Sequence, residues 1–335
     1  MESENLNHYL LLFHLLEYWD REWRKNMTDT WIRFEACDTN DPDTLVGLNY
    51  QGSLPPPSQR AKNPSQRFSF DPKQIVDSSI TNLCFFDSYG EFLEVDVREL
   101  DRFRGEVTVA WNANAENSGV RPENIKTLTS YSWFPPRNKR EALLKFADNF
   151  LENPESDTVA FSLFRRETPA LSIDPKDKKF QPNLDHLKKT TSSLNNSYLA
   201  IQGPPGTGKT WAGARIIHHL ITVEKKRVGI TAQSWSAIEN LLEATVKVFE
   251  KEINENLDSE VKPLKAALRK SKPKDKDPIE GVTYSTNDKG TLFADFDLVA
   301  STTWFWAHED FNEENKFDYL VIDEAGQLAL VDALV

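Results

Sequence analysis

The chain has 335 residues, 39% hydrophobic and 27% charged, with a formal net charge of −12. That length accommodates two domains with a sizeable core, and the composition is that of a soluble globular protein. The acidic balance excludes a global basic field of the kind that coats nucleic acid, so any such contact has to be a local groove. Cys37 and Cys84 exclude a disulfide framework and have no histidine at metal-ligand spacing, so they read as two buried thiols in a reducing cytosol. The apolar run from Tyr9 to Leu16 is too short for a bilayer and follows Glu2 and Glu4 rather than basic residues. No signal peptide, membrane anchor or membrane partner is expected, and the cytoplasm is the expected location.

In chain order, residues 1–36 read as an N-terminal helical segment, with Leu12, Leu15, Leu16, Trp19 and Trp23 on one face. Residues 37–67 are polar and carry Pro55, Pro56 and Pro57, which predicts a linker. Over 68–135 the period changes to two. Glu91 to Val97 and Glu106 to Trp111 alternate, Asp87 to Gly90 supplies a turn, and a small antiparallel, barrel-like accessory unit is expected. Residues 136–195 form a helical connection, with Ala142, Leu143, Phe146 and Phe150 along one stripe.

From 196 to 335 the pattern is α/β. Short apolar strands are expected at Tyr198 to Ile201, Arg227 to Thr231, Asp297 to Ser301 and Tyr319 to Ile322. Helices are expected from Thr210 to about Val223 and from Ser236 to about Phe249. Uninterrupted apolar runs alternating with helices imply a parallel sheet covered on both faces. Between them, Lys262, Lys265, Arg269, Lys270, Lys272, Lys274 and Lys276 form a basic run that reads as a solvated loop rather than a strand channel.

Gly203, Pro204, Pro205, Gly206, Thr207, Gly208, Lys209 and Thr210 form a full Walker A sequence after a predicted strand and before a predicted helix. Glycines let successive main-chain N–H groups curl around a polyphosphate, and the helix behind presents its positive dipole end to the same anion. Lys209 is placed to reach the β- and γ-phosphates of ATP, and the Thr210 hydroxyl to ligate Mg2+. Asp323 and Glu324 directly follow four apolar residues. A carboxylate there holds magnesium, and its neighbour can orient and deprotonate the attacking water.

Ile201 to Thr210, taken with Asp323-Glu324-Ala325-Gly326-Gln327, resembles superfamily 1 helicases of the DEAGQ/DEASQ type. Val228 to Ile238 is similar to motif Ia of that group, and Ala300 to Trp304 to its neighbouring strand-contacting motif. His14 to Tyr18, the β-unit and Tyr319 to Leu334 further resemble a bacterial family of RecB-like nucleases fused to a C-terminal helicase. The resemblance implies a P-loop, RecA-like fold for 196–335, ATP and Mg2+ as cofactors, and single-stranded nucleic acid, DNA rather than RNA, as partner. It implies that Gln327 senses the γ-phosphate or its attacking water. It also implies that Ser234, Ser236, Thr302 and Thr303 bond strand phosphates, which positions a strand without reading its sequence. Ser234 or Ser236 could equally cap the following helix. Trp235, Trp304 and Trp306 read as core rather than base-stacking residues.

Such helicases continue past their acidic motif into a second RecA-like lobe that supplies arginine fingers. The expectation is therefore a middle segment, with a separate chain as a candidate source of that lobe. An Asp…Glu-x-Lys nuclease arrangement is not found, and Gln181 sits too far upstream to be a clear adenine reader. Two further readings stand beside the helicase: an ATP-binding module or remnant with negligible turnover, and a AAA+ ATPase. Gly326-Gln327 and the long interval between the Walker motifs disfavour the last.

Overall fold

A computed structural model of the chain describes residues 2–56, 63–132, 136–170, 183–255, 263–273, 277–287, 293–309 and 316–335. The chain opens with helices α1 (Glu2–Leu16) and α2 (Tyr18–Ala36). It divides into two compact units, Glu17–Pro135 and Met1–Leu16 with Pro136–Val335.

The Glu17–Pro135 unit carries α2, strands β1 (Thr44–Val46), β2 (Asn49–Leu54), β3 (Ser65–Ser69), β4 (Asn82–Phe86), β5 (Phe92–Asp101), β6 (Glu106–Ala110) and β7 (Thr127–Ser130), and the short helix α3 (Ala113–Asn117). The strands form an antiparallel sheet in the order β1-β7-β4-β5-β6-β3-β2. Because β1 and β2 remain as edges, the sheet is a half-barrel rather than a closed one. Leu93 and Val95 of β5 turn inward while Glu94 and Asp96 turn out, as a period of two requires. Phe68, Leu83, Phe85, Val107 and Leu128 are fully buried, each contributing about 1.5–3 kcal/mol of hydrophobic stabilisation. Phe85 stacks on Trp111 with centroids 5.4 Å apart.

Three expectations for this part of the chain change. The stretch read as a linker, 37–67, contains β1, β2 and the start of β3. Strands of three residues, or with the polar composition of β2, leave too short an apolar pattern to stand out from a loop. The helical segment is two helices broken at Glu17, and Trp23 is 43% exposed rather than turned inward with Trp19. Of the two thiols only Cys84 is buried, and Cys37 is exposed. Burial pushes the Cys84 thiol pKa up, because a thiolate there would lose its hydration.

The other unit holds α1 together with α4 (Arg137–Glu152), α5 (Val159–Arg165), α6 (Leu184–Ser192), α7 (Lys209–Thr222), β8 (Val228–Thr231), α8 (Trp235–Glu255), β9 (Ala266–Leu268), β10 (Val282–Tyr284), β11 (Leu298–Ala300), α9 (Thr303–Trp306), β12 (Tyr319–Ile322) and α10 (Leu330–Leu334). Its sheet runs β10-β9-β11-β8-β12 with every pairing parallel. One face, with Val228, Ile230, Leu298, Ala300 and Leu268, packs on Ile217 and Leu220 of α7 and on Ile238, Leu241 and Leu242 of α8. Ala267 and Val299 face the other way, onto Phe293 and Phe305. Burial on both faces explains why these strands read as continuous apolar runs. Gly229 has to be small: a Cβ there would lie 2.7 Å from the Trp306 ring and 2.9 Å from Leu320, so the indole closes over the sheet at that point. Among the described residues no helix is long and apolar enough to cross a membrane.

The expected strand from Tyr198 to Ile201 is not one. The segment has no ladder partner among the described residues. It is held instead by side chains, with the Tyr198 hydroxyl donating to Glu167 O at 2.7 Å and Ser197 Oγ accepting from Ala170 N at 2.9 Å. Four apolar residues specify a strand only when a neighbouring strand receives them, and Ile201 is 38% exposed. The basic run is also not wholly a loop, because Ala266–Leu268 inside it forms the buried strand β9. Lys262, Lys274 and Lys276 of that run, and Gln181, lie outside the described residues.

Candidate nucleotide site

The glycine-rich loop opens α7. Gly206 and Gly208 have φ of +80° and +82°, left-handed values that favour glycine and that occur in main-chain turns able to face N–H groups toward an anion. Gly203 is required for space, since a Cβ there would come 2.6 Å from Thr207 Oγ1. Thr207 closes the loop on itself, its N–H donating to Pro204 O at 3.4 Å and its hydroxyl to the same oxygen at 2.8 Å. The Lys209 ammonium lies along the loop, donating to Gly203 O at 2.7 Å and Pro204 O at 3.1 Å. Pro204, Pro205, Gly206, Thr207 and Gly208 are exposed, and Lys209 and Thr210, which begin α7, are half-buried.

The acidic half of the site sits at the end of β12. Asp323 N–H donates to Thr231 O at 2.9 Å, continuing the β12–β8 ladder by one residue. Asp323 is therefore fixed at the C-terminal edge of the sheet, the edge at which α/β folds bind ligands. Its Oδ1 accepts the Glu324 N–H at 2.9 Å. Glu324 has φ +50°, an uncommon conformation for a residue with a side chain, costing about 1–3 kcal/mol and typical of functional sites. Its side chain is exposed. Ala325–Gln327 form a single 3-10 turn, and Gln327 N–H donates to Glu324 O at 2.8 Å. The structure thus brings Asp323, Glu324 and Gln327 together on one turn. No hydrogen bond joins Lys209 or Thr210 to Asp323 or Glu324 among the described residues.

The expected strand-contacting residues divide. Ser234 Oγ accepts Ala237 N–H at 3.2 Å and lies 3.0 Å from Ser236 Oγ, so Ser234 caps α8 while Ser236 stays exposed. Thr302 occupies the N-cap position of α9 without a side-chain capping bond, and Thr303 is buried. Trp304 is 41% exposed. Trp306 is half-buried, its ring nitrogen donating to Ile230 O at 3.3 Å. Two hydroxyls on the same edge were not singled out by sequence: Thr231 Oγ1 and Ser301 Oγ are buried without a hydrogen-bond partner among the described residues. Nothing in the sequence distinguishes them from ordinary strand-end residues.

Among the described residues no cluster of three or more His, Cys, Asp or Glu could hold a metal. A divalent ion here would need ligand phosphates to complete its shell. The hard oxygen donors of Thr210 and Asp323 fit that arrangement, since magnesium takes one or two protein oxygens and keeps water and phosphate for the rest.

A family model described as "RNA cytidine acetyltransferase NAT10/TcmA, helicase domain" matches residues 200–334. The chain is 32% identical over 131 residues to the ATP-dependent helicase NAM7 of Saccharomyces cerevisiae, a match covering 37% of this chain and 13% of that protein. It is 32% identical over 170 residues to the DNA replication ATP-dependent helicase/nuclease dna2 of Schizosaccharomyces pombe, covering 47% and 11%. An uncharacterized ATP-dependent helicase of Methanocaldococcus jannaschii is 30% identical over 118 residues, covering 34% and 17%. The chain therefore spans less than a fifth of each of these relatives. The segment that the helicase-domain model matches contains both the glycine-rich loop and the Asp323–Gln327 turn, and this part of the chain is similar to a helicase domain.

Proposed function

We propose that this chain is the ATP-hydrolysing part of a motor that moves on single-stranded nucleic acid, DNA rather than RNA, with residues 196–335 as its first RecA-like domain. The observation that carries the reading is the pair of left-handed glycines at the mouth of α7, Gly206 and Gly208, because such a backbone suits a polyphosphate. In this reading the main-chain N–H groups from Gly206 to Thr210, at the N-terminus of α7, cradle the phosphates. Lys209 exchanges its Gly203 and Pro204 carbonyls for phosphate oxygens, and Thr210 and Asp323 hold Mg2+. The ion supplies charge neutralisation on the transferring phosphoryl group. Glu324 accepts a proton from the attacking water, and Gln327, one turn on, orients that water. Ser236 and Thr302, on the same sheet edge as Asp323, donate to strand phosphates, joined by Ser234 and Thr303 where their hydroxyls can be reached.

The DNA preference is supported by the name of the fission-yeast relative, a DNA replication helicase/nuclease. A RecB-like nuclease–helicase parent is supported by the sequence alone, in His14 to Tyr18, in the β-unit and in Tyr319 to Leu334. A second reading, a nucleotide-binding module that turns over negligibly, is favoured by one observation: the Lys209 ammonium is engaged by its own loop. Phosphate release with and without a single-stranded oligonucleotide separates the two. Release that rises with DNA and exceeds the rise with RNA of the same sequence supports the motor. A flat baseline supports the module.

A further inference from the structure

Lys139, in the first turn of α4, is 4% exposed. Its Nζ donates to Asp332 Oδ1 at 2.6 Å and sits 4.6 Å from the centroid of the Trp304 ring. Asp332 is almost as enclosed, its side chain 13% exposed. One buried ammonium therefore touches two segments that the sheet sends out from neighbouring places on its C-terminal edge. Asp332 belongs to α10, the helix that follows the Asp323–Gln327 turn. Trp304 belongs to α9, directly after Thr302 and Thr303. β11 and β12, which launch these two segments, flank β8 on either side.

Stability alone does not account for this arrangement. Replacing a buried ion pair by apolar groups of similar volume is often neutral or stabilising, whereas a charge pair fixes geometry, because few arrangements satisfy both partners. A cation over an indole adds a second directional constraint.

We propose that Lys139 is a positioning residue that couples the nucleotide turn to the strand-contacting segment, so that a shift of Asp323–Gln327 on binding Mg·ATP is transmitted through α10 and the ammonium to Thr302 and Thr303. The proposal rests on the function proposed above. It predicts a thermodynamic coupling between two ligands, which a merely structural staple does not produce.

The test uses the full chain and two titrations, one with a fluorescent non-hydrolysable ATP analogue in Mg2+ and one with a fluorescein-labelled oligothymidylate. The coupling factor is the ratio of oligonucleotide affinities with and without saturating analogue. Wild type is expected to show a factor on the order of 5- to 150-fold, in either direction. Lys139→Met is expected to bring it close to one while each ligand still binds alone. Lys139→Arg, which keeps a cation able to pair with Asp332 and stack on Trp304, is expected to restore it. Because Lys139→Met leaves the Asp332 carboxylate enclosed, Lys139→Met/Asp332→Asn serves as the variant that keeps its fold, checked by circular dichroism, and it too is expected to lose the coupling. A wild-type factor retained by the folded Met variants overturns the proposal and leaves the proposed function standing, as does a wild type that binds both ligands independently. A wild type that binds no nucleotide overturns both.

Discussion

Glu324→Gln is expected to leave nucleotide binding intact and to lower turnover by on the order of 10²- to 10⁴-fold, the usual contribution of a general base. The amide keeps the shape of the side chain but cannot accept the proton of the attacking water. Glu324 is exposed at the end of the sheet, and its backbone is held by the bond to Asp323 Oδ1, so the substitution removes chemistry without disturbing packing. Its left-handed φ of +50° supplies an independent check. Glu324→Gly relieves that strain and is expected to raise the melting temperature slightly while losing turnover to the same extent, the exchange of stability for activity expected at a strained functional position. Phosphate release and thermal unfolding on the two variants measure both effects. Wild-type turnover by Glu324→Gln would assign the base elsewhere.

Lys209→Ala is expected to weaken binding of Mg·ATP by about 10- to 150-fold, the equivalent of losing one charge-assisted hydrogen bond of about 1.5–3 kcal/mol. Among the described residues the ammonium bonds carbonyls of its own loop and nothing else, and a bound triphosphate would replace them with stronger acceptors. The fold is not expected to depend on it. Both acceptors belong to a largely exposed loop, and the remainder of α7 is anchored by Ala214, Ile217 and Leu220 in the sheet core. Equilibrium binding of a fluorescent analogue measures the first effect, and the melting temperature without nucleotide checks the second. A variant that melts early and binds weakly would mean that Lys209 holds the loop's shape rather than the ligand.

The geometry of the glycine-rich loop and of the acidic turn could be read from the chain because its physics is local. Gly203, Gly206 and Gly208 are needed by backbone geometry within a single loop, and Asp323 follows directly on the apolar strand that positions it. The α/β pattern around them was equally plain, since β8 and β11 are buried throughout and therefore carry unbroken apolar runs, while β12, at the sheet edge, keeps the same apolar composition with its residues only partly covered. What escaped the sequence depends on partners distant along the chain. β1 is three residues long and is specified by its pairing with β7, more than 80 residues later. Tyr198 to Ile201 has strand composition and, among the described residues, no strand to pair with. β9 hides in a lysine-rich stretch because, among its described residues, the fully buried run is just Ala266, Ala267 and Leu268. Lys139 could not have been singled out at all. On the sequence it is one basic residue among several at the start of a helix, and only the fold brings Asp332 and Trp304 to it, 193 residues away in the case of Asp332.

Hydrogen exchange followed by mass spectrometry, with and without Mg·ATP, addresses the main-chain cradle itself. Nucleotide is expected to slow exchange in peptides covering 203–212, where the loop amides would be claimed by phosphate, and to a lesser degree in those covering 319–328. Unchanged exchange across 203–212 at a saturating nucleotide concentration would contradict the account, whatever happens elsewhere in the chain.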